Sequence, residues 1–133
     1  MKTSFITLLF ISTVVLCKGQ AFRNLQAAVP SVPYDNIHVQ ALDNDSLAST
    51  YLIWAKHSVK EHFHAYHTEV VYVLSGKGSM TLGDQEKVIQ EGDYIFIPAG
   101  THHAVKVLSD EPMKVISLQT PHFDGSDRVF VDQ

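Results

Sequence analysis

The chain has 133 residues, a formal net charge of −4 and a hydrophobic fraction of 45%. This length suits a single domain, and the hydrophobic fraction is sufficient for one core. The acidic balance argues against a nucleic acid or an anionic membrane as the partner, because both select a basic surface. The ten Lys and Arg residues are scattered and form no basic cluster.

The first segment, residues 1–19, is typical of a secretory signal peptide. Lys2 precedes an apolar run from Phe5 to Leu16, and small residues follow up to Gly19. The apolar run is shorter than the roughly 20 residues that a membrane-spanning helix needs. We therefore expect cleavage after Gly19, with cleavage after Ala21 as the nearest alternative. The mature chain would be periplasmic or secreted and would have no membrane span.

Cys17 permits a second interpretation of the leader, as that of a lipoprotein whose acylated Cys becomes the first residue. The bacterial lipobox normally has a small residue before the Cys, whereas this chain has Leu16. Cys17 is the only Cys in the chain. A domain that begins at Gln20 therefore has no disulfide, no Cys-zinc site and no thiol nucleophile.

Two segments flank the predicted domain. Residues 20–40 are expected to form an N-terminal arm, because they contain two prolines and little periodicity. Such an arm would cover a sheet edge or reach a partner subunit. Residues 121–133 form a mostly polar tail with an apolar tip, Val129–Val131, which would add a last edge strand. Within this tail, Asp124–Asp127 is most simply a turn.

Strand signals dominate the predicted domain, residues 41–120. Runs rich in β-branched and aromatic residues alternate with turns that contain Gly, Pro or Asp, at spacings of roughly 8–12 residues. No stretch shows a sustained helical period. The pattern predicts an all-β fold, an antiparallel sandwich or barrel. The predicted strands are Ser49–His57, Val70–Leu74, Ser79–Leu82, Lys87–Gln90, Tyr94–Ile97, His103–Leu108 and Met113–Gln119.

Four side chains point to metal chemistry: His62, His64, Glu69 and His103. His62 and His64 are two positions apart, so both imidazoles face the same side of an extended strand. Glu69 opens an apolar run, and His103 follows the turn Pro98–Gly100. Three neutral imidazoles and one carboxylate suit a mid-to-late first-row divalent ion and would leave about two or three coordination positions open. The sequence therefore predicts a metal centre in a β-structure.

Strand parity places apolar neighbours beside these ligands. If His103 faces the interior, Val105 shares its face. If Glu69 faces the interior, Val73 does so as well and Tyr72 faces outward. A mostly apolar pocket that holds one polar constellation is typical of a small-molecule site.

The ligand spacings resemble the two motifs of the cupin superfamily. The first cupin motif is Gly-x5-His-x-His-x3-4-Glu-x6-Gly, and Lys56 occupies the position of its leading Gly. The other positions of this motif are matched by His62, His64, Glu69 and Gly76.

The second cupin motif is Gly-x5-Pro-x-Gly-x2-His-x3-Asn, and Val107 replaces its terminal Asn. Its other positions are matched by Gly92, Pro98, Gly100 and His103. Together the two motifs extend over residues 56–107. The two departures affect positions that serve turns and hydrogen bonds rather than metal ligation.

This resemblance implies a small single-domain cupin, which is a jelly-roll β-barrel of two antiparallel sheets and often a homodimer. It also implies that His62, His64, Glu69 and His103 hold one divalent transition metal, Fe, Mn, Ni or Zn, inside the barrel. A degenerate cupin that keeps these ligands but binds metal only weakly is the alternative.

Two further side chains are candidate acids or bases at such a site. Tyr66 shares strand parity with His64 and could reach the pocket as an acid or a hydrogen-bond donor. His67 lies inside the ligand stretch and could shuttle protons, since its unperturbed pKa is near 6.5. An exposed loop position is the simpler expectation for His67.

Three functions are compatible with these residues. The first is a metal-dependent enzyme of the dioxygenase, isomerase, cyclase or lyase type that acts on a small carboxylate or sugar-like molecule. The second is a binding module that holds a small molecule without turnover. A structural role of the storage-protein type is less consistent with one domain that retains all four ligands.

Overall fold

The computed structural model describes residues 22–131. The predicted signal peptide, both cleavage positions and Cys17 lie outside the described residues. Within them the chain forms ten strands and no helix, so the all-β prediction is confirmed. The strands are β1 (Ile37–Asn44), β2 (Ser49–Ala55), β3 (Ser58–His64), β4 (Thr68–Ser75), β5 (Lys77–Leu82), β6 (Gln85–Gln90), β7 (Tyr94–Ile97), β8 (His103–Val107), β9 (Met113–Thr120) and β10 (Arg128–Phe130).

The strands form two antiparallel sheets of five strands each. The order of the first sheet is β1-β2-β9-β4-β7, and that of the second is β10-β3-β8-β5-β6. Strands that are distant in sequence are therefore neighbours in space, as in β4 with β9 and β3 with β8. This arrangement confirms the predicted jelly-roll barrel of two antiparallel sheets.

One half of the barrel interior is an apolar core. Alternate residues of each strand point inward, and those of both sheets meet in this cluster. Its side chains are at most 4% exposed, and each stabilises the fold by about 1.5–3 kcal/mol through burial. The buried members are Val73, Met80, Ile89, Ile97 and Met113.

Gly76 lies where β4 passes to β5, beside this core. Its φ angle is 87°, and a Cβ atom at this position would lie 2.8 Å from the Met113 Cα atom. Both the backbone conformation and the lack of space therefore require Gly. The tight connection allows β4 and β5, which belong to different sheets, both to pass close to Met113.

The arm lies against the first sheet. The buried Lys114 of β9 projects away from the barrel interior, and its Nζ donates hydrogen bonds to the carbonyl oxygens of Leu25, Gln26 and Ala28 at 3.2, 2.6 and 3.3 Å. These acceptors satisfy an ammonium group that would be costly to bury alone. The predicted arm, residues 20–40, overlaps β1, which begins at Ile37. The sequence interpretation missed β1, although Ile37, Val39 and Ala41 alternate with polar residues as in a strand.

The tail returns to the second sheet. Its apolar tip forms β10, which pairs with β3 at the sheet edge. In this pairing Arg128 lies opposite His64, and Phe130 lies opposite His62. The preceding residues, 121–127, therefore run beside the strand that carries two of the predicted metal ligands.

Candidate metal centre

Three strands bring the four predicted ligands together in the half of the barrel interior opposite the apolar core. His62 and His64 lie on β3, and His103 lies directly opposite His62 on β8. Glu69 comes from β4 in the facing sheet. All four residues are buried, and one ligand atom from each lies within 4.8 Å of the others. The Gly100 amide donates to the His64 carbonyl oxygen at 2.7 Å, which holds the turn before His103 against β3.

The Nδ1 atom of each ligand histidine faces an oxygen acceptor. His62 Nδ1 lies 2.8 Å from the Lys60 carbonyl oxygen, and His103 Nδ1 lies 2.9 Å from that of Thr101. Because a carbonyl oxygen only accepts hydrogen bonds, Nδ1 carries the proton in both rings. The lone pair of a neutral ring is then on Nε2, the atom that a metal would bind.

The lone pairs at the centre of the cluster fit a cation. The Nε2 atoms of His64 and His103 lie 3.5 and 3.3 Å from Glu69 Oε2, and within residues 22–131 neither Nε2 atom has a hydrogen-bond partner. A carboxylate and lone pairs this close need a cation between them. In the metal-free protein a proton on one ring can serve, and a divalent ion would coordinate all of these atoms at once. The four residues can therefore hold a metal ion.

The charge states of the ligands suit the same role. Burial raises the pKa of Glu69, but the neighbouring imidazoles of His103 and His64 and the hydroxyl of Ser117 lower it by more, so the side chain is a carboxylate at neutral pH. Burial, and next the charge of His103, lowers the pKa of His62 to about 4, so His62 is neutral. A neutral imidazole and an ionised carboxylate are the forms that bind metal.

Two polar residues of β9 orient the Glu69 carboxylate. The Ser117 hydroxyl donates a short hydrogen bond to Glu69 Oε1, and Gln119 Nε2 lies 3.5 Å from the same oxygen. Both side chains are at most 1% exposed. With Oε1 engaged, Oε2 is directed toward the histidines. Neither residue was predicted from the sequence, although their inward parity with Val115 in an apolar strand was a usable signal.

The expectation of an exposed His67 is wrong, because the residue is only 1% exposed. Its Nε2 lies 2.7 Å from the His122 carbonyl oxygen, and its Nδ1 lies 2.6 Å from Asp127 Oδ2. Burial acts to lower the pKa of His67, but the His122 carbonyl and the Asp127 carboxylate together raise it above its usual value. Both partners come from the tail, so the short-range pattern gave no sign of them.

Tyr66 lies at the surface rather than among the ligands. Its side chain is 56% exposed, and its hydroxyl lies 3.1 Å from Ser126 Oγ. A catalytic role of Tyr66 or His67 stays a prediction.

Asp127 is the polar residue of the site for which the sequence carried no usable signal. Its segment was assigned as a simple turn, and a turn does occur at residues 126–127. The Asp127 side chain is nevertheless fully buried and contacts both His64 and His67.

The fold and the four buried ligands define a small β-barrel with a candidate metal centre. The cupin domain profile matches residues 50–119. Since this is more than half of the chain, the chain belongs to the cupin domain family.

The chain is also similar to individual proteins and solved structures. An uncharacterized protein of Aquifex aeolicus is 34% identical over 98 residues, which cover 74% of this chain and 80% of that protein. A quercetin 2,3-dioxygenase of Bacillus subtilis is 33% identical over 63 residues, or 47% of this chain, which spans only 18% of the dioxygenase. The crystal structure of a Klebsiella pneumoniae protein with a double-stranded β-helix domain aligns with a TM-score of 0.72 and 13% identity, covering 86% of this chain and 99% of that protein.

The described strands leave no candidate for a helical membrane span. Within residues 22–131, no helix has the length and hydropathy that a bilayer crossing requires.

Proposed function

We propose that the protein is an exported, metal-binding single-domain cupin that acts as a metal-dependent enzyme of the dioxygenase, isomerase, cyclase or lyase type. Its substrate would be a small carboxylate or a sugar-like molecule. The observation that carries this proposal is the convergence of three imidazoles and one carboxylate, with ligand atoms within 4.8 Å of one another. The similarity to a quercetin 2,3-dioxygenase supports an enzyme.

The four ligands and their buried surroundings would have different roles. His62, His64, Glu69 and His103 would hold one Fe, Mn, Ni or Zn ion. When bound, such an ion polarises a substrate oxygen or activates water or dioxygen. The buried surroundings exclude bulk water and strengthen electrostatic interactions at the centre.

A second candidate function is a binding module that holds a small molecule without turnover. One observation favours it: the proposed acid–base side chains are engaged elsewhere. The Tyr66 hydroxyl contacts Ser126, and both ring nitrogens of His67 face oxygen atoms of the tail. Neither side chain is therefore free to exchange protons with a molecule at the metal.

A substrate screen separates these two functions. The purified protein, loaded separately with Fe²⁺, Mn²⁺, Ni²⁺ or Zn²⁺, is incubated with small carboxylates, phenolics and uronates, and both product formation and ligand binding are recorded. An enzyme should show turnover that a chelator abolishes and that one of the metals restores. His103→Ala should show no turnover. Binding without turnover across the panel would contradict the enzyme and favour the binding module.

A patch on the outer face of the first sheet supports the proposed homodimer. Six outward side chains of β4, β7 and β9 form an apolar ladder, in which Tyr72, Tyr94 and Phe96 are 41, 65 and 53% exposed. Contiguous apolar surface of this kind is typical of an interface, and a two-fold axis would place the patch against its own copy. The patch consists of Val70, Tyr72, Tyr94, Phe96, Ile116 and Leu118.

Light scattering after gel filtration tests this dimer. The wild type should elute with the mass of two chains, and Phe96→Glu should elute as a monomer. Val88→Glu changes an exposed apolar residue of the other sheet and should leave the dimer intact. A monomeric wild type, or a dimer that Phe96→Glu does not disturb, would contradict the proposed interface.

Export can be tested on the native protein. N-terminal sequencing of protein recovered outside the cytoplasm should begin at Gln20, or at Phe22 if cleavage follows Ala21. A lipid-modified Cys17 at the N-terminus would favour the lipoprotein, and an intact leader would contradict export.

A further inference from the structure

We propose that Asp127, in the C-terminal tail, is a positioning residue of the metal centre. It would fix the orientation of the ligand His64 and the conformation of the segment that joins His64 to Glu69. This inference rests on the proposed metal binding and goes beyond the four ligands. It makes the tail, residues 121–131, a structural part of the metal centre.

The contacts of Asp127 carry the inference. Oδ1 lies 3.4 Å from His64 Nδ1. Oδ2 accepts hydrogen bonds from the Tyr66 and His67 amides at 3.2 and 3.1 Å. The Ala65 amide donates to the Asp127 carbonyl oxygen at 3.1 Å. Asp127 therefore holds every amide of residues 65–67, which are the whole connection between β3 and β4.

His64 differs from the other two ligand histidines in where the acceptor of its Nδ1 proton comes from. The Nδ1 atoms of His62 and His103 face the carbonyl oxygens of Lys60 and Thr101, each two residues earlier in the chain. These acceptors are present wherever the strand itself forms. The acceptor of His64 is a side chain 63 residues away. Among the three Nδ1 acceptors, only that of His64 therefore comes from the tail.

His67 allows Asp127 to occupy this position as a buried carboxylate. His67 Nε2 donates to the His122 carbonyl oxygen at 2.7 Å, and His67 Nδ1 lies 2.6 Å from Asp127 Oδ2. Both side chains are fully buried. The two residues therefore pack the tail against the connection between β3 and β4, and the loss of either one would leave buried polar atoms without their contacts.

Metal binding and the docking of the tail are consequently linked. Asp127 keeps the proton of His64 on Nδ1 and so keeps the Nε2 lone pair available to a metal. A metal that binds this arrangement should in turn stabilise the docked tail, because coupling between two events is reciprocal. Changes at such supporting residues typically lower metal affinity by about 10–100-fold.

The test compares Asp127→Asn with Asp124→Asn in the purified protein, with Zn²⁺ as the probe. Asp124 lies in the same tail, is exposed, and accepts a hydrogen bond from the nearby Ser126 amide. Titration against a chromogenic chelator should show a Zn²⁺ affinity about 10–100-fold weaker for Asp127→Asn and unchanged for Asp124→Asn. The ¹⁵N resonances of the metal-free imidazole rings should show mixed tautomers at His64 only, while His62 and His103 keep the proton on Nδ1.

A general loss of stability would not change the tautomer of one histidine among three, so the ring signals distinguish positioning from a merely structural role. An unchanged affinity of Asp127→Asn, or an unchanged His64 tautomer, would overturn the inference. If the wild type itself does not bind Zn²⁺, Fe²⁺, Mn²⁺ or Ni²⁺, the proposed metal binding fails and the inference fails with it. These two failures are distinguishable, because only the second appears in the unmodified protein.

Hydrogen exchange of the wild type keeps the inference testable if Asp127→Asn does not fold. Addition of Zn²⁺ should slow exchange of the amides of residues 65–67, which donate to Asp127, and of the tail. The β5–β6 hairpin contributes no ligand and serves as the internal control. Bound Zn²⁺ that leaves exchange at residues 65–67 unchanged relative to this hairpin would overturn the inference.

Discussion

The two halves of the barrel interior are built from the same strands but have opposite chemistry. On β4, the inward side chains change from Glu69 at one end to Val73 at the other, and on β9 they change from Gln119 to Met113. The apolar half contains only carbon and sulfur side chains in close contact. The ligand half contains histidines and carboxylates that are equally buried.

This difference separates stability from function within one small domain. Burial of apolar side chains is favourable in proportion to the area removed from water. Burial of polar groups is unfavourable unless each finds a partner, and Nε2 atoms of two ligand histidines have none within the described residues. The apolar half should therefore determine the stability of the fold, and the ligand half should determine metal binding.

The largest expected effect follows from removal of a ligand. His62→Ala and His103→Ala should each lower metal affinity by more than about 100-fold, because even residues that only orient a ligand contribute about 10–100-fold. The far-ultraviolet circular dichroism spectrum should show that the barrel stays folded. Full retention of metal in both variants would contradict the claim that the ligand half determines metal binding.

The complementary change lies in the apolar half. Met113→Ala should lower the free energy of unfolding by about 2–5 kcal/mol in urea, because it leaves a cavity at a residue that is 2% exposed. Val88→Ala, at an exposed position of β6, should change it by less than about 0.5 kcal/mol. The metal stoichiometry of folded Met113→Ala should equal that of the wild type, and a loss of metal would contradict independent roles of the two halves.

Acid should weaken the ligand half of the metal-free protein. The folded pKa of His62 is about 4, mainly because of burial, whereas the unfolded value is about 6.5. The unfolded state therefore binds a proton first as the pH falls, and stability is lost between about pH 6.5 and pH 4. Between about pH 7 and pH 4.5 the loss that His62 contributes should reach about 2–3 kcal/mol in urea unfolding experiments. The raised pKa of His67 acts in the opposite direction.

Two variants isolate the contribution of His62 to this pH dependence. His62→Gln should reduce the loss of stability, whereas His57→Gln, at an exposed position, should keep it unchanged. Equal pH dependence of the two variants would show that His62 titrates at its ordinary pKa.

The smallest of these effects concerns the orientation of Glu69. Ser117→Ala removes the hydroxyl that donates to Glu69 Oε1 and should weaken metal binding by roughly tenfold. Ser79→Ala is a matched control, because the Ser79 hydroxyl donates to Glu86 Oε1 at 2.6 Å on the exposed surface. A Zn²⁺ titration in which both variants match the wild type would show that Ser117 does not position the ligand.

The sequence was informative where the relevant pattern was short. Strand periodicity and two compact motifs predicted the all-β barrel, and the structure brings the four residues of the predicted ligand set together. The sequence also predicted the outward position of Tyr72, which is 41% exposed. Each of these features depends on residues that are close in the chain or on a spacing that alternation fixes.

The sequence failed where a contact joins distant parts of the chain. His67 was expected to be exposed, but it is buried by partners from the tail about 60 residues away. Asp127 could not be distinguished from an ordinary turn residue, because its role exists only when β10 pairs with β3. Ser117 and Gln119 were intermediate cases, since alternation indicated their inward direction but not their contact with Glu69.

Elemental analysis of the purified protein tests most directly whether the ligand half is a metal centre. The protein is isolated without chelators or a metal-binding tag and passed through gel filtration. About one Fe, Mn, Ni or Zn ion per chain is expected in the wild type, and almost none in His62→Ala or His103→Ala. A wild type without bound metal after separate addition of each ion would contradict the account.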